Sequence, residues 1–314
     1  MAQDLGLERK SLTNLFPLPE KPEDWMRHAL TAEQVHHFKE KGFLHGVPLL
    51  NLEQLETLRT ELDEVTNPDH EGCEFFYEYH SNESENPETT LFHALGAWRV
   101  RPAFHDVLWN PAFLMAAFQL LGGKGFRLFH DQLFSKPAKH GGVVAWHQDF
   151  SYWTWTSPMA HLTCWMGLDD VDVENGCLYY IPRSHRWGLL EKKGLAGDMD
   201  AIRADLTPDQ VADFDRKVPI EMKAGEASFH HPLMMHGSYE NRSDRRRRAT
   251  LINIFGDGVV SNREDEGPDA PGADNYPKVP KGELMGGTYY PLLLDSESEP
   301  FAEIADKAPT VETV

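Results

Sequence analysis

Cysteine is scarce in this chain. There are three in 314 residues, Cys73, Cys164 and Cys177, an odd number with no CxxC pair among them. That argues against a disulfide framework or a zinc knuckle and makes a reducing cytoplasm the simplest compartment. Long apolar runs are also missing, so no segment reads as a membrane span. The opening Met1-Ala2-Gln3-Asp4-Leu5 has neither the basic nor the apolar region of a secretory leader. Positive charge is in short supply as well. A formal net charge of −20 argues against nucleic acid or an anionic membrane as the main partner. A soluble intracellular protein acting on a small molecule is the expectation, with its oligomeric state left open.

What is present is ordinary globular material, 40% hydrophobic and 25% charged, enough for a sizeable core. Residues 1–30 are rich in Pro, Lys and Glu and read as a surface arm. Thr31-Ala32-Glu33-Gln34 forms a capping box ahead of a helix that stops at Gly42. Asn51 caps a second helix with Leu55, Leu58, Leu62 and Val65 on one face, and Asn110-Pro111 opens a third that ends at Gly122-Gly123. After Gly125 the texture changes to short β-rich runs: 126–134, 161–168, 177–181, 218–222, 227–231 and 249–255. Turn formers such as Glu174-Asn175-Gly176 separate several of them, the pattern of a barrel or jelly roll. Thr207-Pro208-Asp209-Gln210 starts a short helix inside an insertion at about 186–217. The expected organisation is one catalytic domain over 31–260, helical to 124 and jelly-roll from 125. A Pro-, Gly- and acid-rich surface tail follows over 261–314, with order around 285–294.

The run Trp146-His147-Gln148-Asp149 carries the chemistry. On a strand, residues two apart share a face, so His147 and Asp149 can grip one ion. His236, in His236-Gly237-Ser238, adds a second imidazole from far downstream. Two imidazoles and one carboxylate make a facial triad, which leaves the opposite side of a divalent metal open. HxD alone recurs by chance in a chain with 16 histidines, and the shared context gives it weight. His230, His231 and His185 compete for the third place. His185 reads better as a turn residue, while one of His230 and His231 faces inward. In the run Arg245–Arg248 a strand puts Arg245 and Arg247 on one face and leaves Arg246 and Arg248 solvated. An inward guanidinium offers a fork for a carboxylate.

Taken together, these residues resemble the phytanoyl-CoA dioxygenase family. The match runs through His147-x-Asp149-Phe150, then Asn175-Gly176-Cys177-Leu178 with Ile181-Pro182-Arg183-Ser184-His185. It continues through His236-Gly237-Ser238 with Asn241, Ser243, Arg247 and Ala249. It covers most of residues 31–255 and implies a mainly β fold: a double-stranded β-helix core, jelly-roll and cupin-like, with N-terminal helices packed on it. It also implies an oxygenase using Fe(II) with 2-oxoglutarate and O2 as co-substrates. By position His147, Asp149 and His236 are the implied iron ligands and Arg247 the implied anchor of 2-oxoglutarate. Ser238 and Trp165 match further co-substrate contacts, although Trp165 reads equally well as a core aromatic. Halogenating relatives replace the carboxylate with a small residue, so Asp149 favours hydroxylation.

Two rival readings share these residues. One is a cupin-type isomerase or hydrolase using zinc or manganese, and the other is a binding protein on the same scaffold. A dicarboxylate anchor weighs against the first and an intact open metal face against the second. The aromatics Trp146, Tyr152, Trp153 and Trp155 read either as a pocket wall or as core packing.

Overall fold

The computed structural model describes residues 2–84, 86, 88–263, 277–305 and 307–311. The strands in chain order begin with β1 (Phe43–Pro48), β2 (Glu78–His80), β3 (Phe92–Leu95), β4 (Phe126–Lys136) and β5 (Val144–His147). Then come β6 (Thr156–Ser157), β7 (His161–Gly167), β8 (Leu178–Tyr180), β9 (Val218–Ile220) and β10 (Glu226–His230). The last are β11 (His236–Ser238), β12 (Arg247–Gly256), β13 (Val260–Ser261) and β14 (Leu292–Leu294). A large sheet runs in the order β1-β10-β7-β12-β4-β3-β2, with β14 added on β4, and a small sheet runs β5-β11-β8-β9. Pairing within both is antiparallel. This is the jelly-roll architecture expected, with its functional cavity between the sheets.

The alternation of the large-sheet strands decides which side chains reach that cavity. On β7, Leu162, Cys164 and Met166 turn toward the helices, while Thr163 and Trp165 turn to the cavity side. On β10, Ala227 and Phe229 face the helices, and Ser228 and His230 face in. A bulge on β4 breaks this rule to useful effect: Asn253 pairs with His130 but Ile254 pairs with Leu128, so Phe129 is the extra residue. Phe129 and His130 therefore both line the cavity, although they are consecutive.

The helices cover the other face. The helix Ala32–Lys41 has the reciprocal Thr31/Gln34 cap and ends at Gly42 with φ +84°, where a Cβ would clash with the His185 ring. Leu52–Val65 is capped by Asn51 and buries Leu55, Leu58, Leu62 and Val65. Pro111–Leu120 is apolar nearly all round and buried as the central helix of that layer. The segment 186–217 does contain the expected short helix, Pro208–Phe214, and runs alongside β5 through Ala145 N–H to Leu195 O and Trp146 N–H to Met199 O.

Two segments depart from the surface roles expected of them. In the N-terminal stretch Phe16, Trp25 and Leu30 are buried, and Asp4 pairs with Arg99 at 2.6 Å. Toward the C-terminus Met285, Tyr290, Leu294, Phe301 and Ile304 are buried, and Phe301 packs edge-on against Trp25 with centroids 4.8 Å apart. The two ends cover each other, and their apolar residues are too widely spaced to show a period. Residues 264–276 of the expected tail lie outside the described residues. Among the described residues no helix is long and apolar enough to cross a membrane.

Candidate active site

His147 is the last residue of β5 and His236 the first of β11, and the two are cross-strand partners in the small sheet. The backbone ladder therefore sets their spacing, with ring centroids 4.1 Å apart. Asp149 lies just past the strand, at the start of a 3-10 turn, rather than on it. Gln148 is still extended (φ −112°, ψ 129°), which keeps the Asp149 side chain on the same side as His147. Each histidine donates Nδ1–H to a backbone carbonyl, His147 to Ala145 at 2.8 Å and His236 to Met234 at 2.9 Å. Both Nε2 atoms are then bare acceptors, and they face Asp149 Oδ1 at 3.4 and 3.6 Å. Ligand atoms of the three residues lie within 4.8 Å of one another. Two lone pairs and a carboxylate oxygen converge with no proton between them, an arrangement that a divalent cation relieves.

The electrostatics agree. Burial lowers the His236 pKa well below the ordinary histidine value, and the neighbouring His147 adds to this. Burial works to raise the Asp149 pKa, but the neighbouring His236, His147 and His230 outweigh it and hold it well below the ordinary carboxylate value, so the carboxyl stays ionised.

The other oxygen of Asp149 is held separately. Oδ2 accepts from Thr163 Oγ at 2.7 Å and from His230 Nε2–H at 2.9 Å. The Tyr180 hydroxyl lies 2.9 Å from His230 Nδ1 and 2.9 Å from Ser228 Oγ. Donation must then run Ser228 to Tyr180 to His230 to Asp149, which fixes the His230 tautomer. Asp149 presents Oδ1 alone to the two imidazoles. Of the competing histidines, His230 is thus the inward one. His231 turns to the far side, against the His185 ring at 5.3 Å, and His185 closes the turn over Gly42.

A second cluster carries positive charge. Arg247 is 2% exposed; its Nη2 donates to Gly176 O at 2.8 Å and to Ser238 Oγ at 2.9 Å, and its guanidinium lies over the Trp165 ring at 5.3 Å. Burial pulls its pKa down to about 10. Its buried Nε has no hydrogen-bond partner among the described residues. Glycine is required at 176, both for its φ of +80° and because a Cβ would meet Tyr239 O at 2.5 Å. Arg248 is not solvated as expected. It is 5% exposed, and its guanidinium donates to both Asp169 oxygens and to Asp63, tying β12 to the helix Leu52–Val65. Arg245 and Arg246 precede the strand and pair at the surface with Asp172 and Asp63.

One cavity, about 1210 Å³ with its open mouth, joins the two clusters and is lined by His147, Asp149, His236, Trp165, Ser238 and Arg247. The aromatic run divides. Tyr152, Trp153 and Trp155 line the cavity beside Phe129, whereas Trp146 packs on Phe214 at 4.9 Å. Sequence reasoning missed a polar wall made of Glu78, His93, His130 and Gln132. Gln132 bridges His93 and His130 at 3.0 and 3.1 Å, and His93 pairs with Glu83 at 2.7 Å. His130 alternates inward with Gln132 and Phe134, and the β4 bulge adds Phe129 beside it; a bulge leaves no clear mark in a single sequence. Lys136 was missed too; it stands behind Ser238, with Nζ 2.7 Å from Ser238 Oγ.

The phytanoyl-CoA dioxygenase (PhyH) family profile matches residues 38–249. A phytanoyl-CoA dioxygenase of Arabidopsis thaliana is 26% identical over 257 residues, 72% of this chain and 89% of that one. The L-proline trans-4-hydroxylase of Streptomyces griseoviridis is 30% identical over 192 residues, 54% of this chain and 71% of that one. Among solved structures, the non-heme alpha ketoglutarate dependent carbocyclase SnoK from nogalamycin biosynthesis superposes with a TM-score of 0.67 at 22% identity. That match covers 88% of this chain and 99% of that one. Over more than half of its length, therefore, the chain carries the sequence pattern of the phytanoyl-CoA dioxygenase family, and it belongs to that family.

Proposed function

We propose that His147, Asp149 and His236 hold Fe(II) and that Arg247, with Ser238 and Trp165, takes the distal carboxylate of 2-oxoglutarate. The chain is an iron- and 2-oxoglutarate-dependent oxygenase, and the reaction we assign is hydroxylation of a C–H bond in a small molecule. One observation carries the reading. A triad of bare ligand atoms and a buried arginine with a spare donor open into the same cavity. Bound at the triad, iron supplies the activation of O2, coupled to decarboxylation of 2-oxoglutarate to succinate and CO2.

The chain's own residues do the rest. His147 and His236 offer Nε2 because their Nδ1 protons are spent on carbonyls. Thr163 and His230 hold Asp149 Oδ2, so that Oδ1 alone would be offered to the metal. Trp165 and Leu251 give the co-substrate end a dry wall, which strengthens the pairing of Arg247 with a carboxylate. Tyr152, Trp153, Trp155 and Phe129 offer a substrate an apolar surface and keep water out, while His130 and Gln132 orient its polar groups from the opposite chemistry. The carboxylate of Asp149 occupies the place that a halide ligand needs, which supports hydroxylation.

A substrate screen with Fe(II) and 2-oxoglutarate, scored by succinate formation and O2 uptake, tests this reading. Turnover needs both co-substrates and is lost in Asp149→Ala. Turnover with zinc in the absence of O2 refutes it and restores the isomerase or hydrolase alternative.

A further inference from the structure

Lys136 is fully buried, at 0% exposure, and stands directly opposite Arg247 in the β4–β12 ladder. Its Nζ donates to Ser238 Oγ at 2.7 Å and to Tyr239 O at 2.7 Å, with Ser238 O at 3.4 Å. No carboxylate hydrogen-bonds to Lys136 or Arg247 among the described residues. Glu240 and the Cys177 thiol face Lys136 only through longer-range attraction, and Arg247 repels it. Two cations buried side by side without a counter-ion are costly unless an anion joins them.

The Ser238 hydroxyl lies between them. It donates its single proton to Gly176 O at 2.8 Å, so its lone pairs take the donors from Lys136 and Arg247. Ser238 and Arg247 line the cavity, whereas Lys136 reaches it only from behind Ser238. Burial and the neighbouring guanidinium push the lysine's pKa well below its usual value, so the strain of this pair eases when negative charge arrives.

We propose that Lys136 is a positioning residue for the distal carboxylate of the co-substrate. It holds Ser238 in place and adds a second positive charge to that of Arg247. The proposal rests on the co-substrate reading above. Lys136 thereby acts on the part of the ligand that distinguishes a dicarboxylate from a monocarboxylate, and leaves the 2-oxoacid end alone.

The test is a cycle of ligand against variant, read by anaerobic calorimetry on the Fe(II)-loaded protein. The ligands are 2-oxoglutarate and 2-oxopentanoate, which carries a methyl group where the distal carboxylate would be. Wild type prefers the dicarboxylate. Lys136→Met is expected to lose about tenfold or more in 2-oxoglutarate affinity, as for a lost charge-assisted contact, while 2-oxopentanoate affinity stays within about twofold. Equal loss for both ligands, or none for either, overturns the role of Lys136 and leaves the co-substrate reading intact. A wild type that binds both ligands equally overturns the co-substrate reading itself. If Lys136→Met does not fold, Ser238→Ala serves: it removes the atom through which Lys136 acts and must lose part of the same preference. An unchanged preference in Ser238→Ala refutes the proposal.

Discussion

Replacing His230 with leucine removes one of the two donors to Asp149 Oδ2 and leaves the three ligand residues untouched. His230 is 1% exposed and donates at 2.9 Å to the carboxylate of Asp149, whose side chain is 13% exposed. A hydrogen bond to a charged group is worth about 1.5–3 kcal/mol, and the loss falls on the orientation of Asp149. Since about 1.4 kcal/mol is tenfold in an equilibrium constant, metal affinity should fall about 10- to 100-fold, the range for partners that orient metal ligands. The assay is titration of the apoprotein with Fe(II) under nitrogen against a competing chelator, with thermal melting as a check that the fold survives. His230→Gln keeps an N–H that can reach Oδ2 and should recover part of the loss. Tyr180→Phe removes only the group that fixes the His230 tautomer and should cost less than either. A dissociation constant for His230→Leu within twofold of wild type, in a protein that melts normally, would show that Thr163 alone suffices and that the chain through His230 has no role.

Asp149→Ala should lose metal binding and all turnover; near-normal turnover would remove Asp149 from the ligand set. Arg247→Met should raise the 2-oxoglutarate requirement by about tenfold or more while iron affinity holds, and an unchanged requirement would move the anchor elsewhere. Gly176→Ala strains a residue at φ +80° whose carbonyl receives both Arg247 and Ser238, so 2-oxoglutarate affinity should fall as well as stability. Asp131 has its pKa pushed up to about 7 by burial, against the hydrogen bonds from Trp98 and Gly96. The folded state thus binds this proton more tightly than the unfolded chain, and the contribution present below about pH 4 is lost as pH rises toward 7. The unfolding free energy of wild type relative to Asp131→Asn should shrink across that window in denaturant titrations, and a flat difference would refute the shift.

Features written in local sequence were legible. The boxes at Thr31, Asn51 and Thr207 satisfy their own backbone donors within one turn, so they announce helices wherever the chain goes. The long β4 and β12 partners and the ligand spacing His147-x-Asp149 likewise depend on neighbours close in sequence. What depends on distant partners was hidden. Arg248 looked solvated because nothing nearby shows that Asp63 and Asp169 will meet it. Phe129 needed a bulge to enter the cavity, and Lys136 a cross-strand register. The cluster Trp146, Tyr152, Trp153 and Trp155 splits because β5 ends at His147, which puts Trp146 on the ladder's outer side and the others in a turn.

The cavity lies between two sheets, and the two grips proposed for the co-substrate are divided between them. His147 and His236 belong to the small sheet, and Arg247, Lys136 and Trp165 to the large one. The gap between sheets is set by core packing and does not adjust to a ligand, so it serves as a gauge of chain length. On that proposal a dicarboxylate one methylene shorter or longer should meet one grip and miss the other. The wall offered to the substrate is built differently, from the turn that carries Tyr152 and Trp155 and from the crossing segment around Leu195. Turns and crossing segments change without moving a sheet. On that proposal the fold would keep its fuel constant while leaving its target free to vary.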